Sequence, residues 1–198
     1  MTKRAVIFGA RGGIGQATTQ QFLKAGYIVV PVDSGLVDFT NTNCYSIVNN
    51  LLDSHKPDVV VNCVGHFDNT NTETHNNTFD INVGSNWAIL KYYIENESKI
   101  SVKIIIVGSS AYKSGRKDYI LYAASKAALY NVWQGACDYF TNSNISVGLI
   151  NPVKTRTPMV NIKASAICLE PEDVAQEILR MASTQSNQLV DMTYPEEN

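Results

Sequence analysis

The stretch Tyr122-Ala-Ala-Ser-Lys126 carries a phenol and an ammonium four positions apart, and Ser109 stands thirteen positions earlier. On a helix, residues i and i+4 share one face. An ammonium beside a phenol favours the phenolate and lowers a pKa that begins near ~10. A tyrosine so placed can exchange protons with an alcohol or a carbonyl near neutral pH. A serine hydroxyl close by can hold the substrate oxygen. Taken alone, Tyr-x-x-x-Lys equally describes an ordinary helix face, so its meaning depends on what else the chain holds.

A second group of residues points to a phosphate. Gly9-Ala10-Arg11-Gly12-Gly13-Ile14-Gly15 follows a short apolar run and opens a helical pattern. Glycine permits a tight turn and close approach of the backbone. The helix N-terminus that follows offers N–H groups and a positive dipole end to a pyrophosphate. Asp33 ends the next apolar run, near the ~20 residues beyond the loop expected of a carboxylate that binds adenosine ribose hydroxyls. The plainer alternative is a turn and a solvated aspartate. Charge then orders the cofactors. Asp33 would repel a 2′-phosphate, which favours NAD(H). Arg11 could contact that phosphate, which keeps NADP(H) open. Ser34-Gly35, with no cation, follows Asp33.

The elements that must position these groups are legible as periodic runs. Residues 5–8, 28–32, 59–64, 102–107 and 145–150 read as strands, and 188–192 as a final one. Most are near-continuous β-branched runs, as expected of a parallel sheet buried on both faces. Helical patterns occupy 14–25, 43–54, 77–97, 119–141 and 171–183, with Gly26 suited to a C-cap and Pro171 to a first turn. Strands alternating with helices predict an α/β, doubly wound parallel sheet flanked by helices. The Asn/Thr-rich stretch 66–78 reads as a mobile loop at the C-terminal end of a strand, the edge where ligands of such sheets sit.

Composition narrows the class. The chain has 198 residues, 44% hydrophobic and 17% charged, which predicts one domain over residues 1–198 with a sizeable core. A net charge of −2 gives no basic field for nucleic acid or an anionic membrane. No apolar stretch approaches the ~20 residues of a membrane span, and the N-terminal apolar run is too short for a signal peptide. Cys44, Cys63, Cys137 and Cys168 match no zinc spacing, and His55, His66 and His75 are not spaced as a metal site, so no metal is expected. Reduced thiols predict a cytoplasmic location.

Together these residues resemble the short-chain dehydrogenase/reductase family, from about residue 3 to 192. Gly9-x-x-x-Gly13-x-Gly15 resembles the loop of its single-domain members. Gly9-x-x-Gly12-x-x-Gly15 also fits the larger members that modify nucleotide sugars; too few residues follow Asn151 for their second domain. Asp38 resembles the aspartate that contacts adenine. Asn62-Cys63-Val64-Gly65 resembles the Asn-Asn-Ala-Gly segment that stabilises the central sheet. Asn82, Ser109, Tyr122 and Lys126 resemble the catalytic tetrad. Pro152-Val153 through Thr157 and Met159 resembles the segment that meets the nicotinamide carboxamide.

Departures accompany the matches. Phe8 stands where the family has Thr, and Val153 where it has Gly. Between Asp33 and Asp38 there is no room for the usual helix and full third strand, and the segment after Met159 predicts a reduced substrate lid. Ser110 competes with Ser109, and spacing favours Ser109. Arg11-Gly12 also resembles the loop of dihydropteridine reductases, which lack the catalytic serine.

The resemblance implies hydride transfer between a nicotinamide and a carbonyl or secondary alcohol. Tyr122 would be the acid–base, Lys126 would lower its pKa and hold the nicotinamide ribose, Ser109 would bind the substrate oxygen, and Asn82 would support a proton relay. Lys113, Arg116 and Lys117 border the expected pocket and suggest a small anionic substrate such as a sugar or polyol phosphate; a solvated basic loop is the alternative. His66 and Phe67 follow the Asn62–Gly65 motif and sit where substrate could touch. The family also implies a homodimer or homotetramer, with Trp87, Tyr92, Tyr93, Tyr130 and Trp133 either at that contact or in the core. Two other readings stay open: a non-catalytic NAD-binding sensor or interaction module, and a nucleotide-sugar epimerase.

Overall fold

The computed structural model describes residues 2–68, 75–97, 100–160 and 166–194. Its strands are β1 (Arg4–Phe8), β2 (Ile28–Val32), β3 (Val59–Asn62), β4 (Val102–Val107), β5 (Ile145–Asn151) and β6 (Gln188–Asp191). They form one parallel sheet in the order β2-β1-β3-β4-β5-β6. Its register is set by pairs such as Phe8 with Val32, Phe8 with Asn62, and Asn151 with Asp191. The helices are α1 (Gly13–Lys24), α2 (Cys44–His55), α3 (His75–Phe79), α4 (Ser85–Asn96), α5 (Ile120–Tyr139) and α6 (Pro171–Ala182).

Side chains alternate across the strands, so each face of the sheet builds its own core. Val6, Phe8, Val60, Ile104, Ile106 and Val147 pack with Val48, Leu52, Ile89 and Leu129 of α2, α4 and α5. Ala5, Ile7, Val61, Ile105 and Ile150 pack with Phe22 of α1 and Val174, Ile178 and Met181 of α6. This double coverage is why the central strands read as continuous apolar runs. Glu170 and Asp173 form a reciprocal capping box at the start of α6, which begins at Pro171.

The chain departs from the usual pattern where the sequence lacks room. After β2, residues 33–43 turn directly into α2, so β2 is the edge strand. Asp33 and Asp38 organise that turn: Asp33 Oδ1 accepts from the Gly35 N–H, and Asp38 accepts from Thr40 and Asn41. Val37 and Phe39 are buried beneath it.

One expectation needs correction. Residues 77–97 do not form a single helix. Between α3 and α4 runs a π turn, Asp80–Gly84, in which the Ser85 N–H reaches the Asp80 carbonyl. Residues 69–74 of the expected 66–78 loop, and residues 161–165 of the expected lid after Met159, lie outside the described residues. Of the aromatic residues weighed for a subunit contact, Tyr92 and Tyr93 are core, and Trp133 is partly buried with its indole N–H on the Val147 carbonyl at 3.1 Å. Trp87 is exposed. Among the described residues, no helix is long and apolar enough to cross a membrane.

Candidate active site

The strand order reverses between β1 and β3, and ligands of open parallel sheets sit at the carboxyl ends of strands beside such a switch. Gly9 leaves β1 with φ at 72°, a conformation that favours glycine. A Cβ there would stand 2.9 Å from the Cys63 carbonyl carbon and the Val64 nitrogen, which follow β3. A Cβ on Gly15 would run into the Gly9 carbonyl oxygen. The loop therefore closes onto the first turn of α1. Gly12 is that helix's N-cap, and no side chain caps it. Gly13 lies against the Thr157 side chain.

A cleft of about 280 Å³ opens here. Its walls are Gly9, Arg11 and Gly12 from the loop, Asp33, Val37 and Asp38 from the turn after β2, Gly65 and His66 after β3, and Met159. A separate hollow among Thr2, Lys3, Ala25, Gly26 and Tyr27 contains none of these groups. Glycine-lined space at a helix N-terminus, with a carboxylate at one end, fits a dinucleotide. Arg11 Nε lies 2.7 Å from Asp33 Oδ2, so the loop's guanidinium covers the carboxylate that faces this space. Asp38 is held below the ordinary carboxyl range by the Thr40 hydroxyl and N–H. Ile14 packs against the core face of α1 and α6.

Asn62 is buried, and its amide donates to Ser85 Oγ at 3.0 Å and Asn86 Oδ1 at 2.8 Å, while its oxygen takes the Val64 N–H at 3.1 Å. It ties the end of β3 to the start of α4. Asn82, in the π turn, clamps the next segment. Its Oδ1 accepts from the His66 N–H at 2.7 Å, and its Nδ2 donates to the His66 carbonyl at 2.9 Å and to Ser125 Oγ at 2.9 Å. Ser125 donates in turn to the Tyr122 carbonyl at 2.8 Å. The π turn thus joins the loop after β3 to α5.

Tyr122 and Lys126 share one face of α5, with Lys126 Nζ 5.6 Å from the phenol ring centroid. Lys126 is buried and donates to the Val107 carbonyl at 3.3 Å. Gly65 lies where Asn82 Oδ1, Lys126 Nζ and Met159 converge. Ser109, rather than Ser110, is the serine whose side chain acts on the Tyr122 phenol, where it favours the ionised form. Phe67 packs edge-on to Tyr122 at 4.9 Å and against Tyr119 at 5.3 Å.

These contacts change the electrostatics expected from spacing. Burial pushes the Tyr122 phenol above its ordinary value, Ser109 pulls against that rise, and Tyr119 adds to it. Burial also pulls Lys126 down to about 8. The phenol therefore stands above, not below, its ordinary value, contrary to the acidification expected from spacing, because desolvation favours the neutral form of both groups.

The segment between Ser109 and Tyr122 also differs from expectation. Lys113 Nζ is 2.8 Å from Asp191 Oδ2, so this cation is committed to the end of β6. Arg116 and Lys117 are exposed. Asn151 and Asp191 were not marked by any motif, although they join the Ser109 segment to β5 and β6. Ser125 stood inside Tyr122-Ala-Ala-Ser-Lys126 and was open to notice there. Pro152 accepts the Ser110 N–H at 2.9 Å, and Val153 packs on the α6 side of the sheet.

A profile of the family described as short chain dehydrogenase matches residues 40–166. The solved structure of 4-hydroxyisoleucine dehydrogenase complexed with NADH is 25% identical, covers 96% of this chain and 97% of its own, and superposes with a TM-score of 0.80. The structure of ElxO with NADP bound is 22% identical, covers 96% and 98% of the two chains, and has a TM-score of 0.81. The bifunctional ribulose 5-phosphate reductase/CDP-ribitol pyrophosphorylase Bcs1 of Haemophilus influenzae is 29% identical over 97 residues, which is 45% of this chain and 20% of that protein. The chain therefore matches about a fifth of that relative's length.

Proposed function

This chain belongs to the short-chain dehydrogenase family, and we propose that Tyr122 is its acid–base in the NAD(P)-dependent interconversion of a carbonyl and a secondary alcohol. The observation that carries this reading is the meeting of Tyr122 with Ser109 while Lys126 lies under the same ring. A nicotinamide dinucleotide, when bound, supplies or accepts the hydride. Residues 9–15, Asp33, Gly65 and Thr157 would hold it, with Asp38 and residues 152–153 at its margins.

Ser109 holds the substrate oxygen, and Tyr122 donates a proton to it in reduction or removes one in oxidation. The elevated phenol pKa suits the donating direction. Lys126, whose ammonium is readily given up at about 8, resupplies that proton. Asn82 keeps Tyr122, Ser125 and His66 in register for this exchange. Phe67 and Tyr119 exclude water from one side of the phenol.

Asp33 favours NADH. Arg11 on the same carboxylate supports a second reading in which NADPH is accepted, because a guanidinium already stands where a 2′-phosphate would arrive. The substrate we infer is a small carbonyl compound bearing a phosphate or carboxylate. The exposed Arg116 and Lys117, in the segment between Ser109 and Tyr122, support this, as does the phosphorylated sugar in the curated relative's name. The exposed Trp87 on α4 fits a homodimer or homotetramer built on α4 and α5.

The test is Tyr122→Phe. Turnover of a carbonyl phosphate panel with NADH should fall at least about 1,000-fold, on the scale of a lost proton donor. The thermal shift produced by NADH should persist. Wild-type turnover in the variant would refute the assignment.

A further inference from the structure

The hydroxyl of Ser109 is useful only if its short turn is held still, and that turn carries few apolar anchors. Residues 110–113 form a single 3₁₀ turn, and Ser109 Oγ caps it by accepting from the Ala111 N–H at 3.2 Å. What fastens the turn to the sheet is polar. The Ser109 N–H donates to Asn151 Oδ1 at 3.1 Å, and Asn151 Nδ2 donates to Asp191 Oδ1 at 3.1 Å. The other carboxylate oxygen of Asp191 takes Lys113 Nζ at 2.8 Å and the Tyr112 hydroxyl at 3.1 Å. Asp191 therefore holds residues 109–113 at both ends, directly at Tyr112 and Lys113 and through Asn151 at Ser109.

The surroundings support that arrangement. Any side chain at Gly108 would collide with Asn151 Oδ1, so the chain leaves room for this amide. The Tyr112 ring stacks on Tyr130 of α5 at 4.7 Å, which pins the turn from a third direction. Burial pushes the Asp191 carboxyl up, but Lys113, Asn151 and Tyr112 together outweigh it and hold the group below its usual range.

We propose that Asp191 is a positioning residue for Ser109: from the end of the edge strand it holds residues 109–113, and so the hydroxyl that meets Tyr122. This rests on the reading of Tyr122 and Ser109 above. An ordinary surface ion pair would stitch β6 to the turn and leave the phenol untouched. The two roles separate at the phenol. Tyr122 is faced by Tyr119 and Lys126 from its own segment, by Ser109 after β4, and by Phe67 after β3. Among the described residues, Ser109 is the one of these that connects to Asp191, through Asn151. Loss of the negative charge at Asp191 would by itself favour the phenolate, whereas loosening of Ser109 disfavours it. The sign of the change is therefore diagnostic.

The experiment places 3-fluorotyrosine at position 122 of the full chain and follows its titration by ¹⁹F NMR. Ser109→Ala should raise the midpoint by about one unit, the scale of one hydrogen bond to a phenolate. Asp191→Ala should raise it in the same direction, and should give no further rise on the Ser109→Ala background. Asp191→Asn, which keeps the side chain's size, should give a smaller rise. A midpoint that stays or falls in Asp191→Ala overturns the proposal, as does a shift that persists in full without Ser109. The titration needs no substrate. Its outcome is thus separate from the turnover of Tyr122→Phe, on which the catalytic reading stands or falls.

Discussion

Arg11 Nε rests on Asp33 Oδ2 at 2.7 Å, with the guanidinium exposed and the carboxylate largely covered. The pair places both determinants of cofactor charge preference at one spot. Asp33→Asn should weaken NADH binding and strengthen NADPH binding, while Arg11→Ala should weaken NADPH by roughly 1–2 kcal/mol, about 5- to 30-fold, and spare NADH. Thermal shifts with each cofactor read this directly, since ligand at 100 times its Kd adds about 2.7 kcal/mol. Equal losses for both cofactors in Arg11→Ala would remove the argument.

Asn82 makes two hydrogen bonds to the backbone of His66 and one to Ser125. Asn82→Ala leaves those buried groups unpaired, at a cost of about 1–3 kcal/mol in stability. It also frees Phe67 from Tyr122, so kcat should fall about tenfold or more with little change in the NADH thermal shift. An unchanged kcat would mean that Asn82 serves the fold alone.

The cations between Ser109 and Tyr122 should separate by kinetic effect. Arg116→Ala should raise KM for a phosphorylated carbonyl about fivefold, as one exposed charge contributes about 1 kcal/mol. Lys113→Ala should lower kcat instead, because Lys113 is bound to Asp191 rather than directed at substrate. If Arg116→Ala leaves KM unaltered across the panel, the anionic-substrate reading loses its support.

Lys103 lies fully buried on β4, with Nζ on the Ser186 carbonyl at 2.5 Å, and burial pulls its pKa down to about 8. The unfolded chain binds more protons than the folded one between about 8 and the ordinary lysine value, so this group makes the fold more stable as pH rises through that window. Below about 8 both states carry the proton, and the full cost of burying the charge is felt. Denaturant melts at pH 7 and pH 10 should show wild type gaining on the order of 2 kcal/mol relative to Lys103→Met. Parallel pH profiles for the two proteins would show that Lys103 is not the group responsible.

What the sequence by itself determined is local. β-branched runs alternating with helical patterns specified the six parallel strands, because strands covered on both faces must be apolar throughout. The five residues from Tyr122 to Lys126 specified a shared helix face, because i and i+4 must lie one above the other. The shortness of residues 33–38 specified the missing strand, because chain length limits what can form.

Tertiary structure decided the meetings. Ser109 rather than Ser110 reaches Tyr122, Arg11 covers Asp33, Asn82 bridges His66 and Ser125, and Lys113 turns to Asp191. These partners lie far apart in the chain or on loops with no period, so spacing carries no record of them. Burial was equally hidden. Spacing placed an ammonium beside the Tyr122 phenol, but the surrounding elements set the desolvation that raises the phenol and lowers the lysine. That term belongs to the packed molecule, because it depends on how much water every neighbouring element excludes.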